Sequence, residues 1–405
     1  MRRLLLLVSA IVFTDTMFFA AITPLLPTYV DDFGLSKSAA GVLAAAYPAG
    51  TFVGALPGGW MAARFGVRRT VLLGLAGLIV SSLAFAFAPS IAVLDIARFV
   101  QGVTGAATWA GAIGWLMAAA PSERRGELIG SAMAAAIVGV IFGPVLGGIA
   151  VAVGPEAGFS AVAVLGIGLF AWTITMPAAP LASRTRFREL FVVVREGRVV
   201  TGMWLVTLTG LLFGTLSVLV PLRLDALGAS AAVIAGAFLG AAVLEAIVSP
   251  AMGRLSDRRG RVLPITIGLG AAVVVMLVIP WPQTAWLLVC LVILASPAVG
   301  VLWAPSMAML SDGAESRGID QAFAFGLVNL AWATGETGGA AGGARLGEVF
   351  SDAFAYLLLA ALCLVTFVAV RRSRSLEPVS PRPTASSSHH REPAAASGSG
   401  SPAGP

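Results

Sequence analysis

Charge is what this sequence has least of. Asp, Glu, Lys and Arg make up 11% of its 405 residues, hydrophobic residues make up 58%, and the mean hydropathy is +0.92. A soluble domain is about a quarter charged and about half apolar. A water-soluble fold of this length could not hide so much apolar surface, so lipid has to be the solvent. Histidine is nearly missing. His389 and His390 both lie in the polar C-terminal stretch, which removes a histidine metal cluster and a histidine proton relay. The two cysteines, Cys290 and Cys363, fall inside apolar runs and read as packing residues with no disulfide role. No metal-ligand cluster and no nucleophile–base pair is recognisable, so an enzyme, a metal and a cofactor are not expected. The basic residues are spread along the chain rather than gathered in one patch, which speaks against nucleic acid.

What is present is length of apolar sequence. A membrane span needs about twenty such residues. Runs occur at about 4–29, 38–61, 70–88, 91–119, 127–153, 158–180, 199–222, 229–252, 262–280, 284–310, 320–344 and 353–370. The first follows Arg2 and Arg3 as a leader peptide would, but it is long enough to cross a bilayer and reads as span 1. Of 26 basic residues, only Lys37, Arg223 and Arg345 fall at one set of span ends, and Arg98 lies inside a span. The other ends hold all the rest. So lopsided a split predicts an even number of spans in the cell (inner) membrane with both termini cytoplasmic. The organisation expected is a six-helix half at 1–181, a basic cytoplasmic linker at 182–198, a second six-helix half at 199–370 and a disordered tail at 371–405. A monomer is expected.

The halves repeat one another. Gly59, Arg64 and Gly66 follow span 2, and Gly253, Asp257, Arg258, Gly260 and Arg261 follow span 8. The first glycines are 194 residues apart, and so are the later ones. A second match, Glu123–Gly126 after span 4 against Glu315–Gly318 after span 10, lies at nearly the same offset. Two collinear matches indicate duplication, with the halves related by an axis along the membrane normal. Glycines there permit a tight turn and close helix approach, the arginines stay in water, and Asp257 could cap a neighbouring helix to hold a gate shut.

Here the sequence resembles the major facilitator superfamily. The loop at Gly253, Asp257, Arg258, Gly260 and Arg261 carries the family's full pattern; the copy after span 2 has Ala63 where the acid belongs and Val67 in place of a basic residue. Span 4 carries Arg98, Gln101 and Gly102, similar to the family's Arg-x-x-Gln-Gly element. Span 5 carries Gly139, Gly143, Pro144, Gly147 and Gly148, which looks like the signature of drug and proton antiporters. Asp15 followed by Pro24 and Pro27 is similar to the same branch. The resemblance covers about 4–370 and implies an all-α membrane protein with twelve transmembrane helices in two six-helix pseudo-symmetric halves. The glycines at four-residue spacing predict close packing of span 5, bent by Pro144, against a neighbour in the other half.

Ionisable residues within a span are costly and mark function by default. The resemblance implies that spans 1, 4, 7 and 10 line a central cavity, which would let Asp15 and Arg98 face each other. They read either as a proton-coupling pair or as a structural ion pair fixing helix register. Glu336 in span 11 reads as a second protonation site, a site for a cationic substrate, or a carboxyl bonded between helices. Glu245 in span 8 reads as a structural carboxylate or a further coupling site. Candidate cavity residues are Thr104, Thr108, Trp109, Thr207, Phe213, Trp303, Ser306, Met307, Asn329 and Trp332, an aromatic and weakly polar set suited to an amphipathic substrate. Tyr29, Trp60, Trp281, Trp286 and Tyr356 sit near span ends as interfacial anchors. The expected function is export of a small amphipathic or hydrophobic compound by proton antiport; the alternative is a facilitator or symporter for a sugar, amino acid or other metabolite. The partners expected are that solute, protons and the lipid bilayer.

Overall fold

The computed structural model describes residues 1–120, 125–178, 196–315 and 321–372. The loops containing Glu123 and Arg317, most of the linker and the tail lie outside the described residues, as does the side chain of Asp257.

Long apolar runs become helices because lipid offers no partner for a free backbone N–H or C=O. The first half consists of α1 (Arg2–Ala20), α2 (Ile22–Phe33), α3 (Lys37–Phe65), α4 (Val67–Ala86), α5 (Ile91–Ala119), α6 (Arg125–Val153) and α7 (Pro155–Thr175). The second consists of α8 (Gly197–Ala226), α9 (Ala231–Arg259), α10 (Val262–Val278), α11 (Ala285–Gly300), α12 (Trp303–Glu315), α13 (Gln321–Thr337), α14 (Gly343–Val349) and α15 (Asp352–Arg372). A π-helical stretch, Gly338–Gly342, joins α13 to α14. Pairs α1–α2 and α11–α12, and the run α13–π–α14, are each one broken span, so the chain crosses twelve times. Among the described residues ten helical segments are long and apolar enough to cross a membrane, and Val262–Val278 is a shorter apolar one.

The duplication is visible in the turns. Gly34 and Gly228 adopt φ of 60° and 79°, Gly66 and Gly260 adopt 92° and 81°, and each pair occupies the same place in its half. These are left-handed positions that favour glycine. Ser36 and Ser230 cap α3 and α9 alike, each side chain accepting from the backbone N–H three residues on.

Each half has its own apolar core, built around Phe18, Phe85 and Phe159 in the first and around Leu208, Leu269 and Tyr356 in the second. The halves are joined on the face away from the arginine-rich loops, here the far face. Val218, Ala340 and Ala344 of the second half belong to the core of the first. Gly41 of α3 lies so close that a Cβ there would sit 2.4 Å from Ala344 Cβ. Two polar links cross the same rim: Lys37 Nζ to Asp352 Oδ1 at 2.6 Å, and the Ser38 N–H donating to Glu348 Oε2 at 2.6 Å.

The expected interfacial anchors divide. Trp60, Trp281 and Trp286 are exposed, but Tyr29 and Tyr356 are each only 4% exposed and pack inside their halves. Cys363 is buried and Cys290 exposed, both with free thiols.

Candidate functional site

The site begins with a defect in span 1. Pro24 has no N–H for the carbonyl of Ala20, and the span breaks at Ala21 between α1 and α2. Carbonyls at the end of a helix need donors. Arg98 of α5 supplies them: Nη1 to Phe18 O at 3.5 Å and Nη2 to Phe19 O at 3.2 Å, with Nη1 also donating to Gln101 Oε1 at 3.0 Å. A cation is favoured at a helix C-terminus. This answers the cost of placing Arg98, 1% exposed, inside the span.

Asp15 lies about two turns earlier on α1 and is 2% exposed. Its Oδ2 accepts two hydrogen bonds, from Tyr47 Oη at 2.9 Å and Trp109 Nε1 at 2.9 Å. Its Oδ1 is buried without a partner among the described residues. Gly105 of α5 makes the room, since a Cβ there would lie 3.1 Å from Asp15 Oδ1 and 3.2 Å from Tyr47 Oη. The expected facing pair is therefore realised indirectly. Arg98 spends its donors on the broken end of α1, and Tyr47 bridges the two charges. The guanidinium stands 5.3 Å from the Tyr47 ring centre and 5.7 Å from that of Phe19, within cation–π range. Tyr47 is the residue of this cluster that the sequence analysis does not single out. A tyrosine in mid-run, where an apolar residue would serve for packing, was the available signal.

The second half reaches this cluster through Trp332, whose ring meets Phe19 edge-on at 5.6 Å and Tyr47 at 6.5 Å. Glu336, one turn further along α13, is 6% exposed, and its backbone abuts Gly210 and Gly214 of α8. Glu245 stands apart. It accepts from Ser296 Oγ at 2.5 Å and fills the space a side chain at Gly300 would take, tying α9 to the broken α11–α12 span.

Several expected cavity residues turn elsewhere. Thr104 and Thr108 bond back to their own helix and press on Gly77 and Gly74 of α4. Thr207 donates to Ala331 O, linking α8 to α13. Phe213 packs on the core of the second half, and Trp303 and Met307 on a smaller cluster with Val206 and Leu310. Ser306 is buried and donates to Leu302 O. Asn329 is half-buried. Only Trp109 and Trp332 of that set join Asp15 and Arg98. A threonine in a span satisfies its hydroxyl on the preceding turn, so its presence does not reveal which way the helix faces.

The glycine row of α6 also requires correction. Gly139 abuts Thr16, Gly143 abuts Ala20, and Gly147 abuts Ala21 and Pro24, all of the same half. The row clamps the broken span 1 that carries Asp15. Gly148, pointing about 100° away, is the one that meets the other half, at Ala235. In the repeated loops Gly66 and Gly260 make the expected turns, but Gly59 and Gly253 have open space around them, so the expected close approach is not made there. Arg64 and Arg258 are exposed. Arg261 pairs with Asp312 at 3.2 Å and with Ser256, tying the loop after α9 to the end of α12.

The comparisons with known proteins bear on the family and the fold. Over 179 residues the chain is 30% identical to the MFS-type transporter ppzB of Metarhizium rileyi, covering 43% of this chain and 36% of that protein. Over 164 residues it is 29% identical to the quinolone resistance protein NorA of Staphylococcus aureus, covering 40% and 42%. The matches thus span less than half of these curated relatives. Among solved structures, a D-xylose–proton symporter superposes with a TM-score of 0.73 at 16% identity, over 91% of this chain and 97% of that one. The human organic anion transporter MFSD10 (TETRAN) gives 0.69 at 17%, over 91% and 99%. The profile of the Major Facilitator Superfamily matches residues 8–319, and with twelve spans in two like halves the chain belongs to that family of membrane transporters.

Proposed function

We propose that this protein exports a small amphipathic or hydrophobic compound in exchange for protons, by alternating access between its two halves. The observation that carries the reading is the surroundings of Asp15: a carboxyl walled in by Tyr47 and Trp109, with one oxygen doubly hydrogen-bonded and the other without a partner among the described residues. A group so placed can take and release a proton at Oδ1, and its charge state bears on Arg98 and, through Tyr47, on Trp332 of the other half. Aromatic walls suit an amphipathic solute that competes for the same carboxylate. Glu336, near the same seam, is the second candidate for protonation. The antiporter-type glycine row supports the reading by packing against the helix that holds Asp15. So does the partial similarity to a drug-resistance protein. The arginine-rich face is assigned to the cytoplasm, and the protein acts as a monomer in the cell membrane.

The test uses everted vesicles and a panel of toxic amphipathic compounds that includes a quinolone. An imposed proton gradient drives uptake by the wild type, and Asp15→Asn abolishes that uptake while the protein still folds and inserts. Wild-type transport by the variant would refute the assignment. The metabolite symporter reading uses the same fold and carboxylate but reverses the sign, with solute moving in the direction of the proton flow.

A further inference from the structure

Tyr47 touches three things at once: the Asp15 carboxyl through its hydroxyl, Arg98 through its ring face, and Trp332 of the other half through its ring edge region. Its ring also stacks on Phe19 with centres 4.7 Å apart. Its backbone cannot give way. A Cβ at Gly102 would lie 1.9 Å from Tyr47 O, and Thr51 Oγ1 donates to that oxygen at 3.1 Å. Any response of Tyr47 to its surroundings must therefore pass through the side chain.

Resting on the reading of Asp15 as the proton site, we propose that Tyr47 is a positioning residue that couples the charge on Asp15 to the seam between the halves. A hydrogen bond to a carboxylate is about twice as strong as one to a neutral acceptor. When Asp15 is charged, the hydroxyl is held and the ring is fixed between Arg98 and Trp332. When a proton binds Asp15, that hold weakens and the ring is free to resettle against Phe19 and Trp332, which loosens the contact between halves. Among the described residues the charged or titratable groups on the elements around Asp15 are few. Tyr47 comes from α3 and Arg98 from α5, Glu336 lies beyond Trp332 on α13, Asp95 of α5 and Tyr29, Asp31 and Asp32 of α2 lie toward the far face, and Glu127 of α6 and Glu156 of α7 stand at the ends of their helices. The alternative role, a ring that merely fills space, needs no hydroxyl.

The experiment separates these without requiring a known solute. In a background with Cys290→Ser and Cys363→Ala, spin labels are attached at Phe87→Cys and Phe350→Cys, positions 63% and 65% exposed in opposite halves. Their distance in liposomes is followed against pH for wild type, Tyr47→Phe, Asp15→Asn and the double variant. Tyr47→Phe keeps the ring and its volume, so the fold is preserved. The expected result is a midpoint for far-face opening moved by about one pH unit or more in Tyr47→Phe. The double variant should match Asp15→Asn alone. The rim carboxylates Asp31, Asp32, Asp225, Glu348 and Asp352 are the same in every variant, so their contribution cancels in the comparison. A Tyr47→Phe titration equal to wild type overturns the proposal, as does an equal Tyr47→Phe effect with and without Asp15. If Asp15→Asn itself shows the wild-type dependence of distance on pH, the proton-site reading falls and this inference with it. An altered Asp15→Asn beside an unaltered Tyr47→Phe sinks the inference alone.

Discussion

An arginine inside a helical bundle needs partners for a planar set of donors, and Arg98 finds them for its terminal nitrogens largely on main-chain oxygens, while its Nε is buried without one among the described residues. Its two terminal nitrogens divide between Phe18 O, Phe19 O and Gln101 Oε1. A lysine could carry the charge but not the fork. Arg98→Lys is expected to insert correctly yet lose about 1–3 kcal/mol as at least one buried carbonyl goes unpaired. The loss would be read as earlier melting of the purified protein in detergent, and equal melting would show that the carbonyls find other donors. At this scale the charges were conspicuous in the sequence because the bilayer makes every ionisable residue stand out. Asp15, Arg98, Glu245 and Glu336 were all legible that way. Their partners were not. Whether Trp109 or Thr108 faces Asp15 depends on the rotation of α5 about its axis, which only packing fixes. Tyr47 looked like one more aromatic in an apolar run.

Between helices, glycine sets the distances. The row Gly139, Gly143, Gly147 was readable from its four-residue spacing, but the surface it meets was not, because spacing defines a face and leaves its partner open. The partner proves to be the broken span 1. A Cβ at Gly143 would lie 2.4 Å from Ala20 Cβ and 2.9 Å from its carbonyl carbon. Gly143→Val must therefore push α6 away from α1, with overpacking of about 1–3 kcal/mol and displacement of the segment holding Asp15. Reduced thermal stability together with lost transport is expected. Gly59→Ala and Gly253→Ala meet open space and should change melting by no more than about 0.5 kcal/mol. If all three substitutions behaved alike, close approach would not be what Gly143 provides.

At the scale of the whole molecule the fold was the most legible feature, since twelve apolar runs and a 194-residue offset are properties of sequence alone. The state of the molecule was not legible, because the alternating access proposed above requires one sequence to encode more than one meeting of the halves. Here the far face is shut. The links holding its rim are Lys37 with Asp352 and the N-terminus of α3 with Glu348, each between opposite halves. With side chains 30% and 28% exposed, the Lys37–Asp352 pair is partly solvated, so its worth is about 0.2–1 kcal/mol and it weakens in high salt. That is too little to hold the fold together but enough to bias two balanced states by up to about five-fold. Lys37→Asp should open the far face in a larger fraction of molecules, seen as a longer label-to-label distance across the rim. Asp352→Lys should do the same, and the double reversal should restore closure at low salt. Failure of the double reversal to restore it would mean that the apolar contact of Gly41 with Ala340 and Ala344 sets the balance, with the ion pair only following.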